Sequence, residues 1–339
     1  MTSTKIAVLG AGSWGTAIAV LLSRKGYRVH LWAHSFQHVE ALKNERENSR
    51  YLSGIAFDKS LAPLADLQTS VEGCEVVCMA VPSQFYRSVF RRVINSVSAG
   101  TTIVSAAKGI ENDSLLTMTQ VMEEESALRE RQGTNNLHFA VLSGPSFARE
   151  VAEYVPTAVT IGCKNTDKVR KLQNIFGTSS FRVYASSDVI GLEISGAFKN
   201  IIAIAAGICD GIGYGHNTRA ALITRGLAEI TRLGLHVGAD AATFSGLSGM
   251  GDLILTCTGD LSRNRGVGLK LGSGQKIDQI LSEMSMVAEG VKTTLSAYSL
   301  AKSYDIEMPI LEQVYKIIYE NKNCTAAVDD LLARELKSE

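Results

Sequence analysis

A lysine in an apolar segment is the first candidate for chemistry in this sequence. The segment EISGAFKNIIAIAAG, residues 193–207, has the composition of an apolar helix except at Lys199 and Asn200. A lysine is almost never fully buried without a partner. One interpretation is a side chain whose ammonium reaches solvent. The other is a lysine whose pKa is lowered by burial, so that it exchanges protons near neutral pH as a general acid/base.

Further along the chain, one group has the residue types that bind a phosphate. The segment GMGDLILTCTGDLSRNRGVGLKLG, residues 249–272, contains Asp252 in a glycine-flanked turn and then Ser262, Arg263, Asn264 and Arg265 in a row. An arginine offers planar paired donors, and a hydroxyl and an amide offer further hydrogen bonds. Ser262 would equally serve as a helix N-cap. Both interpretations can hold together, because a helix N-terminus is itself an anion site.

The segment IAVLGAGSWGTA, residues 6–17, predicts a dinucleotide-binding turn. Gly10, Gly12 and Gly15 form a GxGxxG pattern that follows a strand and opens a helix, which is the context that makes the pattern informative. The first glycine permits the tight turn, the second lets backbone approach a pyrophosphate, and the third lets helix and strand pack closely. A simple strand-to-helix corner is the alternative.

The end of the second predicted strand bears on which dinucleotide is preferred. NAD sites place an acidic residue there, about 20 residues beyond the glycines, to hold the ribose 2′-hydroxyl. Here His34 occupies that place, and the nearest acid is Glu40. A missing carboxylate removes repulsion against a 2′-phosphate, and a protonated histidine would attract one. The sequence therefore favours NADPH over NADH, with a solvated loop histidine as the alternative.

Polar residues follow two further predicted strands. Lys108 closes the fourth strand, and Gly144 and Ser146 follow the fifth. Ligands of open α/β sheets bind outside the carboxyl ends of the strands. Each residue alone could belong to a surface or a turn, but together with the glycine turn they predict a binding site at one edge of the sheet.

The elements that must position these residues change in type along the chain. Short apolar, β-rich runs alternate with helical patterns in the first half, which predicts a doubly wound parallel sheet. The predicted strands are 5–10, 28–32, 75–81, 101–107, 138–144, 156–163 and 181–186, with helices such as 16–26 and 114–130. Helices follow at 188–209, 217–234, 275–284, 289–304, 309–320 and 324–336, with glycine-rich breaks at 210–215, 246–251 and 266–274. We therefore predict a dinucleotide-binding domain over 1–187 and a helical substrate-binding and catalytic domain over 188–339.

Composition argues against several classes of partner. The 339 residues include 34 basic and 34 acidic side chains without a basic tract, so neither nucleic acid nor an anionic membrane surface is predicted as a partner. The six cysteines are scattered without a CxxC, which predicts buried thiols and no metal site. No signal peptide is evident, and the most apolar stretch, 194–208, is too short to span a bilayer. A cytoplasmic location without stable membrane insertion is expected.

Five segments, taken in order, make the chain resemble a known family. GAGSWGTA, AAKGIE, SGPSFA, EISGAFKN and GMGDLILTCT followed by SRNR are similar to the bacterial-type NAD(P)-dependent glycerol-3-phosphate dehydrogenases, over residues 5 to 330 or so. The resemblance implies an α/β Rossmann-type domain followed by an all-α C-terminal domain similar to that of 6-phosphogluconate dehydrogenase. It also implies that NADPH or NADH reversibly reduces dihydroxyacetone phosphate to sn-glycerol 3-phosphate, supplying phospholipid synthesis.

The resemblance implies a role for each matching residue, with Lys199 as the general acid/base. Contacts with the dinucleotide are implied for Gly10, Gly12, Ser13, Trp14, Gly15, His34, Lys108, Ala148, Arg263, Val287 and Glu289. Contacts with the substrate are implied for Lys108, Gly144, Ser146, Lys199, Asp252, Ser262, Arg263 and Asn264. The family commonly has arginine at the position of His34, and a histidine there makes an NADP preference dependent on pH.

Two other functions stay open on the sequence. A dehydrogenase of the hydroxyacid type would use Arg263 to hold a carboxylate, and a nucleotide-sensing protein would bind the dinucleotide without chemistry. Lys199 argues against the sensor, because a sensor has no need of a buried amine. The helical half has more apolar faces than one sheet edge covers, which is compatible with a homodimer.

Overall fold

The chain divides into two units, and its structure, a computed structural model, describes residues 4–130, 136–284 and 286–335. The first unit comprises the described residues up to Lys108 together with Thr117–Leu192, and the second comprises Gly109–Leu116 and the described residues from Glu193 onward. The predicted division at 187/188 lies just before the observed one, and it misses the segment 109–116. Within the second unit, the Ser296 hydroxyl donates a 3.1 Å hydrogen bond to the Ile110 carbonyl of that segment.

The first unit is organised by a twisted α/β sheet. Its described strands are β1 (Lys5–Leu9), β2 (Arg28–Trp32), β3 (Glu47–Asn48), β4 (Leu52–Ala56), β5 (Leu61–Leu64), β6 (Val76–Met79), β7 (Thr102–Ser105), β8 (His138–Ser143), β9 (Thr157–Cys163) and β10 (Phe181–Ser186). Eight of them form one sheet in the order β10-β9-β8-β7-β6-β1-β2-β5. Neighbouring strands are parallel except β8 and β9. Strand β1 lies between β2 and β6, so the direction in which the chain adds strands to the sheet reverses at β1. Open α/β sheets bind ligands at the carboxyl ends of the strands beside such a reversal.

All seven predicted strands are present, and the prediction of a doubly wound, Rossmann-type sheet is confirmed. Three strands were not predicted: the short antiparallel pair β3–β4 and the strand β5. The sequence of β5 is LAPL, and Pro63 lacks the N–H that an interior strand needs. The structure accommodates it because β5 is the edge strand of the sheet, beside β2.

Helices cover the sheet, and the helix that follows the glycine turn is the most deeply buried of them. The described helices of this unit are α1 (Ser13–Arg24), α2 (Phe36–Glu45), α3 (Leu67–Val71), α4 (Tyr86–Val93), α5 (Met118–Glu130), α6 (Ala148–Ala152) and α7 (Thr166–Phe176). In α1 every residue from Gly15 to Ser23 is buried. The run TAIAVLL therefore forms core on all sides and holds the glycine turn rigidly against the sheet.

The described part of the second unit is helical, as predicted. Its helices are α8 (Val189–Ile212), α9 (His216–His236), α10 (Ala241–Ser245), α11 (Asp252–Thr258), α12 (Arg263–Gly272), α13 (Ile277–Glu283), α14 (Glu289–Ser303), α15 (Pro309–Tyr319) and α16 (Cys324–Leu332). The first residues of α8, up to Leu192, are grouped with the first unit.

The predicted glycine-rich break at 266–274 is wrong, because residues Arg263–Gly272 form α12. Two of the glycines, Gly268 and Gly272, lie where α12 packs against α8. A Cβ on Gly268 would lie 2.1 Å from the Ile204 carbonyl oxygen, and one on Gly207 would lie 2.1 Å from the Arg265 carbonyl oxygen. Helices α8 and α12 therefore pack backbone against backbone, an approach that only glycine permits.

The apolar stretch 194–208 lies within a longer helix than the sequence analysis considered for a membrane span. Helix α8 is 24 residues long and, by length and composition alone, apolar enough to cross a membrane. However, 94% of its apolar window is buried. Its apolar side chains are thus used as protein core, the arrangement expected of a central helix.

Candidate active site

The glycine turn lies at the carboxyl ends of β1, β2 and β6. The Gly10 N–H donates a 3.0 Å hydrogen bond to the Trp32 carbonyl, and Gly10 has φ +112°. A Cβ on Gly10 would lie 2.6 Å from the Ala80 carbonyl oxygen, and one on Gly15 would lie 1.9 Å from the Gly10 carbonyl oxygen. The first and third glycines are therefore required by the backbone itself.

The middle glycine has a different environment, and it suits a bound anion. Gly12 is the N-cap of α1 and provides no side-chain cap, and no atom lies within 4 Å of the position of its missing Cβ. Trp14 Nε1 is buried without a hydrogen-bond partner in the described part of the chain. A helix N-terminus that begins at a glycine without a side-chain cap fits the pyrophosphate of a dinucleotide.

Other residues predicted to contact the dinucleotide surround this turn. The Ser13 hydroxyl donates a 2.8 Å hydrogen bond to the Tyr51 carbonyl. His34 follows β2 and is exposed to solvent. Ala148 begins α6 and packs against the core of the first unit. Of these, His34 has the accessibility needed to meet a ribose 2′-substituent.

Lys108, Gly144 and Ser146 come together at the same edge of the sheet, as predicted. The Lys108 Nζ donates a 3.2 Å hydrogen bond to the Gly144 carbonyl, and the Ser146 hydroxyl donates one of 2.9 Å to the same oxygen. Gly144 has φ +130°, and a Cβ there would lie 3.0 Å from Val159 Cα. The turn after β8 therefore holds an ammonium and a hydroxyl beside one carbonyl.

In the second unit, Lys199 is buried and paired with a carboxylate. Its side chain is 8% exposed, and that of Asp252 is 1% exposed. The Lys199 Nζ lies 2.5 Å from Asp252 Oδ1 and 2.7 Å from Thr256 Oγ1. The solvent-reaching interpretation of Lys199 is therefore wrong. Partnering by a carboxylate and a hydroxyl is what allows an ammonium to remain buried.

Thr256 was not predicted as part of this group. It lies one helical turn after Asp252 in α11, and its hydroxyl donates a 2.6 Å hydrogen bond to the Asp252 carbonyl. That leaves its oxygen lone pairs for the Lys199 ammonium. The i,i+4 spacing from Asp252 was the available signal, since such residues share one helix face.

A π-helical turn, Leu247–Gly251, leads directly into α11 and sets the position of Asp252. The Gly251 N–H donates to the Gly246 carbonyl at 3.1 Å, five residues back, as a π turn requires. A Cβ on Gly249 would lie 2.1 Å from the Phe244 carbonyl oxygen. The glycines around Asp252, noted in the sequence, are thus needed for this tight turn.

The residues predicted at the phosphate end gather at the N-terminus of α12. Ser262 is the N-cap, accepting a 3.2 Å hydrogen bond from the Arg265 N–H, which confirms the capping interpretation. The exposed Arg263 side chain donates a 2.6 Å hydrogen bond to the Val287 carbonyl, two residues before Glu289 begins α14. Arg263 and Val287, both predicted to contact the dinucleotide, are thus in direct contact.

Asn264 is held in a buried amide chain. Its Nδ2 donates a 2.9 Å hydrogen bond to Asn200 Oδ1, and its Oδ1 accepts one of 3.0 Å from the Gly290 N–H. Asn200, next to Lys199, was noted in the sequence but not predicted as a site residue. The two amides link the helices that carry Lys199 and Arg263.

Arg265, the last residue of SRNR, has a structural role. Its Nε donates a 2.9 Å hydrogen bond to Asp210 Oδ2, and Asp210 Oδ1 accepts one of 2.8 Å from Arg219 Nε. Arg265 also pairs with Asp260 at 2.9 Å. The guanidinium of Arg265 is therefore paired with two carboxylates, which fix the position of α12. The sequence did not indicate this arrangement, because Asp210 lies 55 residues away.

One cysteine, Cys257, follows Thr256 in α11 and lies close enough to Lys199 and Asp252 to interact with their charges. Cys74, Cys78, Cys163, Cys209 and Cys257 are buried free thiols, as expected, and Cys324 is half-buried. Burial raises the pKa of the Cys78 and Cys257 thiols to about 12. Such thiols are unreactive.

Comparison with known proteins agrees with this arrangement. Residues 5–169 and 188–329 match the family models described as NAD-dependent glycerol-3-phosphate dehydrogenase N-terminus and C-terminus. Relatives named glycerol-3-phosphate dehydrogenase [NAD(P)+] include one from Desulfotalea psychrophila, 58% identical over 98% of both chains, and one from Geobacter sulfurreducens, 51% identical over 99% of both. The crystal structure of glycerol-3-phosphate dehydrogenase from Coxiella burnetii is 41% identical, covers 98% of this chain and 99% of its own, and superposes with a TM-score of 0.93. The chain therefore belongs to the family of NAD-dependent glycerol-3-phosphate dehydrogenases.

Proposed function

We propose that this chain reversibly reduces dihydroxyacetone phosphate to sn-glycerol 3-phosphate with NADPH or NADH, supplying phospholipid synthesis. The observation that carries the proposal is the buried Lys199–Asp252 pair in a chain that covers nearly the whole length of relatives bearing this activity in their names. A buried, carboxylate-paired ammonium is a suitable proton donor for a carbonyl reduction.

The chemistry required of the protein is a proton transfer at the C2 oxygen of the substrate. The Lys199 ammonium donates a proton to that oxygen in the reductive direction, and the neutral amine accepts it in the reverse direction. Asp252 and Thr256 hold Nζ in place. The nicotinamide cofactor supplies the hydride to the C2 carbon when bound.

The N-terminus of α12 is proposed to hold the substrate phosphate. Ser262 and Asn264 offer a hydroxyl and an amide, and the exposed Arg263 guanidinium keeps donors beyond the one bonded to Val287. The helix N-terminus adds a favourable dipole. Fixing the phosphate fixes the orientation of the C2 carbonyl, which contributes to the rate through positioning.

The first unit is proposed to bind the dinucleotide, with NADPH preferred. Support comes from the open helix N-terminus at Gly12 and from the exposed His34 after β2, where no carboxylate repels a 2′-phosphate. Roles for Ser13, Trp14, Ala148, Val287 and Glu289 with the cofactor, and for Lys108, Gly144 and Ser146 with the substrate, stay predictions.

We further infer a cytoplasmic homodimer. Several large apolar side chains of the second unit are exposed, including Leu261 at 52% and Leu332 at 79%, and association with a second copy would remove such side chains from water. Sedimentation velocity at several protein concentrations measures the mass directly. A monomer at all concentrations would contradict this inference.

The activity is tested by following NADPH absorbance with purified protein and dihydroxyacetone phosphate, with NADH in parallel. Oxidation of the cofactor only when the substrate is present is the expected result. A panel of 2-keto acids is the matched control, because a hydroxyacid dehydrogenase would reduce those instead. If the protein bound the cofactor but oxidised it in the presence of none of these substrates, the result would favour a nucleotide-sensing protein and overturn the proposal.

A further inference from the structure

One buried amide behind the glycine turn has no role in the function proposed so far. Asn48 lies in the strongly polar run KNERENSRY, residues 43–51, yet it is only 1% exposed. Burying an amide is unfavourable unless its donors and acceptor are hydrogen-bonded. The question is which groups satisfy it, and what those bonds achieve.

The amide nitrogen of Asn48 binds the turn itself. Nδ2 donates a 3.0 Å hydrogen bond to the carbonyl of Ala11, between Gly10 and Gly12, and a 2.7 Å hydrogen bond to the Thr16 hydroxyl in the first turn of α1. The Thr16 N–H in turn bonds the Gly12 carbonyl at 2.9 Å. Both amide protons of Asn48 therefore tie the turn to its helix.

The amide oxygen of Asn48 is engaged on the other side. Oδ1 accepts a 3.3 Å hydrogen bond from the Tyr51 N–H and lies 3.2 Å from His38 Nε2. The Tyr51 carbonyl accepts the Ser13 hydroxyl at 2.8 Å. Segment 48–51 thus makes hydrogen bonds with three residues of the glycine turn and the start of α1, namely Ala11, Ser13 and Thr16.

The orientation of one peptide follows from these bonds. The Ala11–Gly12 peptide is trans, so its carbonyl and its N–H point in opposite directions. Because the Ala11 carbonyl points to Asn48, the Gly12 N–H points away from Asn48. Apart from the adjacent residues, no atom lies within 4 Å of the position that a Cβ on Gly12 would take, and the glycine has no Cβ to hinder the approach of an anion.

We propose that Asn48 is a positioning residue for the dinucleotide site: its amide holds the Ala11–Gly12 peptide in the orientation that presents the Gly12 N–H to the cofactor pyrophosphate. The proposal rests on the cofactor binding proposed above and extends it to a residue outside the GxGxxG pattern. Asn48 does not touch the reacting atoms, and it acts through the backbone that it orients.

The test compares Asn48→Asp with Asn48→Ser. The aspartate keeps an acceptor for Tyr51 but opposes the Ala11 carbonyl with a second acceptor, which favours rotation of that peptide. The serine is too short to reach the Ala11 carbonyl and introduces no charge, so it serves if the aspartate variant does not fold. Asn165→Ala is the matched control: Asn165 caps α7 of the same unit through the N–H groups of Asp167 and Lys168, so its loss lowers stability without touching the turn.

Calorimetric titration with NADPH and steady-state kinetics are the readouts. We expect both Asn48 variants to raise the Kd for NADPH roughly tenfold, the factor for one lost hydrogen bond to a charged group. At saturating NADPH, kcat and the KM for dihydroxyacetone phosphate should stay near wild type. The control should lower Tm and leave the Kd unchanged.

Two results would overturn the proposal: a Kd near wild type in both Asn48 variants, or an equal rise in the Asn165 control. A failure of the proposed activity is separately visible. In that case the wild-type protein would bind NADPH without reducing dihydroxyacetone phosphate, and the Kd comparison would still decide the role of Asn48.

Discussion

Lys199 illustrates, at the scale of single residues, how an apolar helix accommodates a charge. Its ammonium is bonded to Asp252 and Thr256, so replacing either member of the buried Lys199–Asp252 pair takes the opposite charge away from the other. Breaking a buried pair in this way typically costs about 3–5 kcal/mol, whereas replacing both partners is often nearly neutral. Stability and catalysis at this pair can therefore be separated by experiment.

Lys199→Ala should lower kcat by about 10²–10⁴-fold, the contribution of a positioned general acid, while NADPH binding by the first unit stays largely intact. Initial rates and NADPH titration measure the two effects. The double variant Lys199→Met with Asp252→Asn should recover stability without recovering activity. Turnover close to wild type in either protein would remove Lys199 from the mechanism.

His34→Asp should shift the cofactor preference from NADPH toward NADH. A carboxylate after β2 would bond the ribose 2′-hydroxyl of NADH and repel the 2′-phosphate of NADPH. The ratio of kcat/KM for the two cofactors measures this shift. The exposed His216, in the second unit, provides a control: His216→Asp should leave that ratio unchanged, and an unchanged ratio in His34→Asp would show that His34 is only a solvated loop residue.

At the scale of helices and strands, the contact of α8 with α12 depends on glycine. Gly268→Ala would place a methyl group 2.1 Å from the Ile204 carbonyl oxygen, and we expect a loss of roughly 1–3 kcal/mol or more. Gly266 lies in the same helix with no atom within 4 Å of its Cβ position, so Gly266→Ala should stabilise by about 0.5–1 kcal/mol. Urea unfolding midpoints compare the two, and equal effects would contradict this packing.

A buried carboxylate joins α9 to α15 and makes the stability of that contact depend on pH. Glu229 accepts hydrogen bonds from the N–H groups of Ile310 and Leu311, at 2.8 and 3.3 Å, behind Pro309, which has no N–H. Burial raises the pKa of Glu229 to about 7 from its ordinary 4.5, against the lowering effect of those two bonds. The folded chain therefore binds a proton here that the unfolded chain releases above about pH 4.5.

The sign of the effect follows: the stabilising contribution of Glu229 is full below about pH 4.5 and is lost as pH rises through about 7. Glu229→Gln mimics the protonated acid and does not ionise. The free energy of unfolding of wild type relative to this variant should fall by roughly 3 kcal/mol between pH 4.5 and 8. Chemical denaturation across that range measures it, and a difference that rises or stays constant with pH would show that the carboxylate is well accommodated.

At the scale of the whole molecule, the chain consists of an α/β unit and a helical unit, and much of both was predictable. The strands, the glycine turn and the long helices are local patterns, visible because side-chain burial repeats with the period of each element. Residues at the ends of parallel strands, such as Lys108 and Ser146, were placed together correctly because topology brings the carboxyl ends to one edge. The resemblance of five motifs was enough to identify the family.

The sequence by itself thus determined the fold class, the family and the residue types of the candidate site. Only the tertiary structure decided the partners: Asp252 for Lys199, 53 residues away, and the glycine turn for Asn48, an amide buried within a polar run. It also decided that Gly268 and Gly272 of α12 lie in the contact with α8. The physical reason is that local patterns report backbone preference and average burial, whereas hydrogen bonds, ion pairs and close backbone contacts form between segments that meet only when the chain folds.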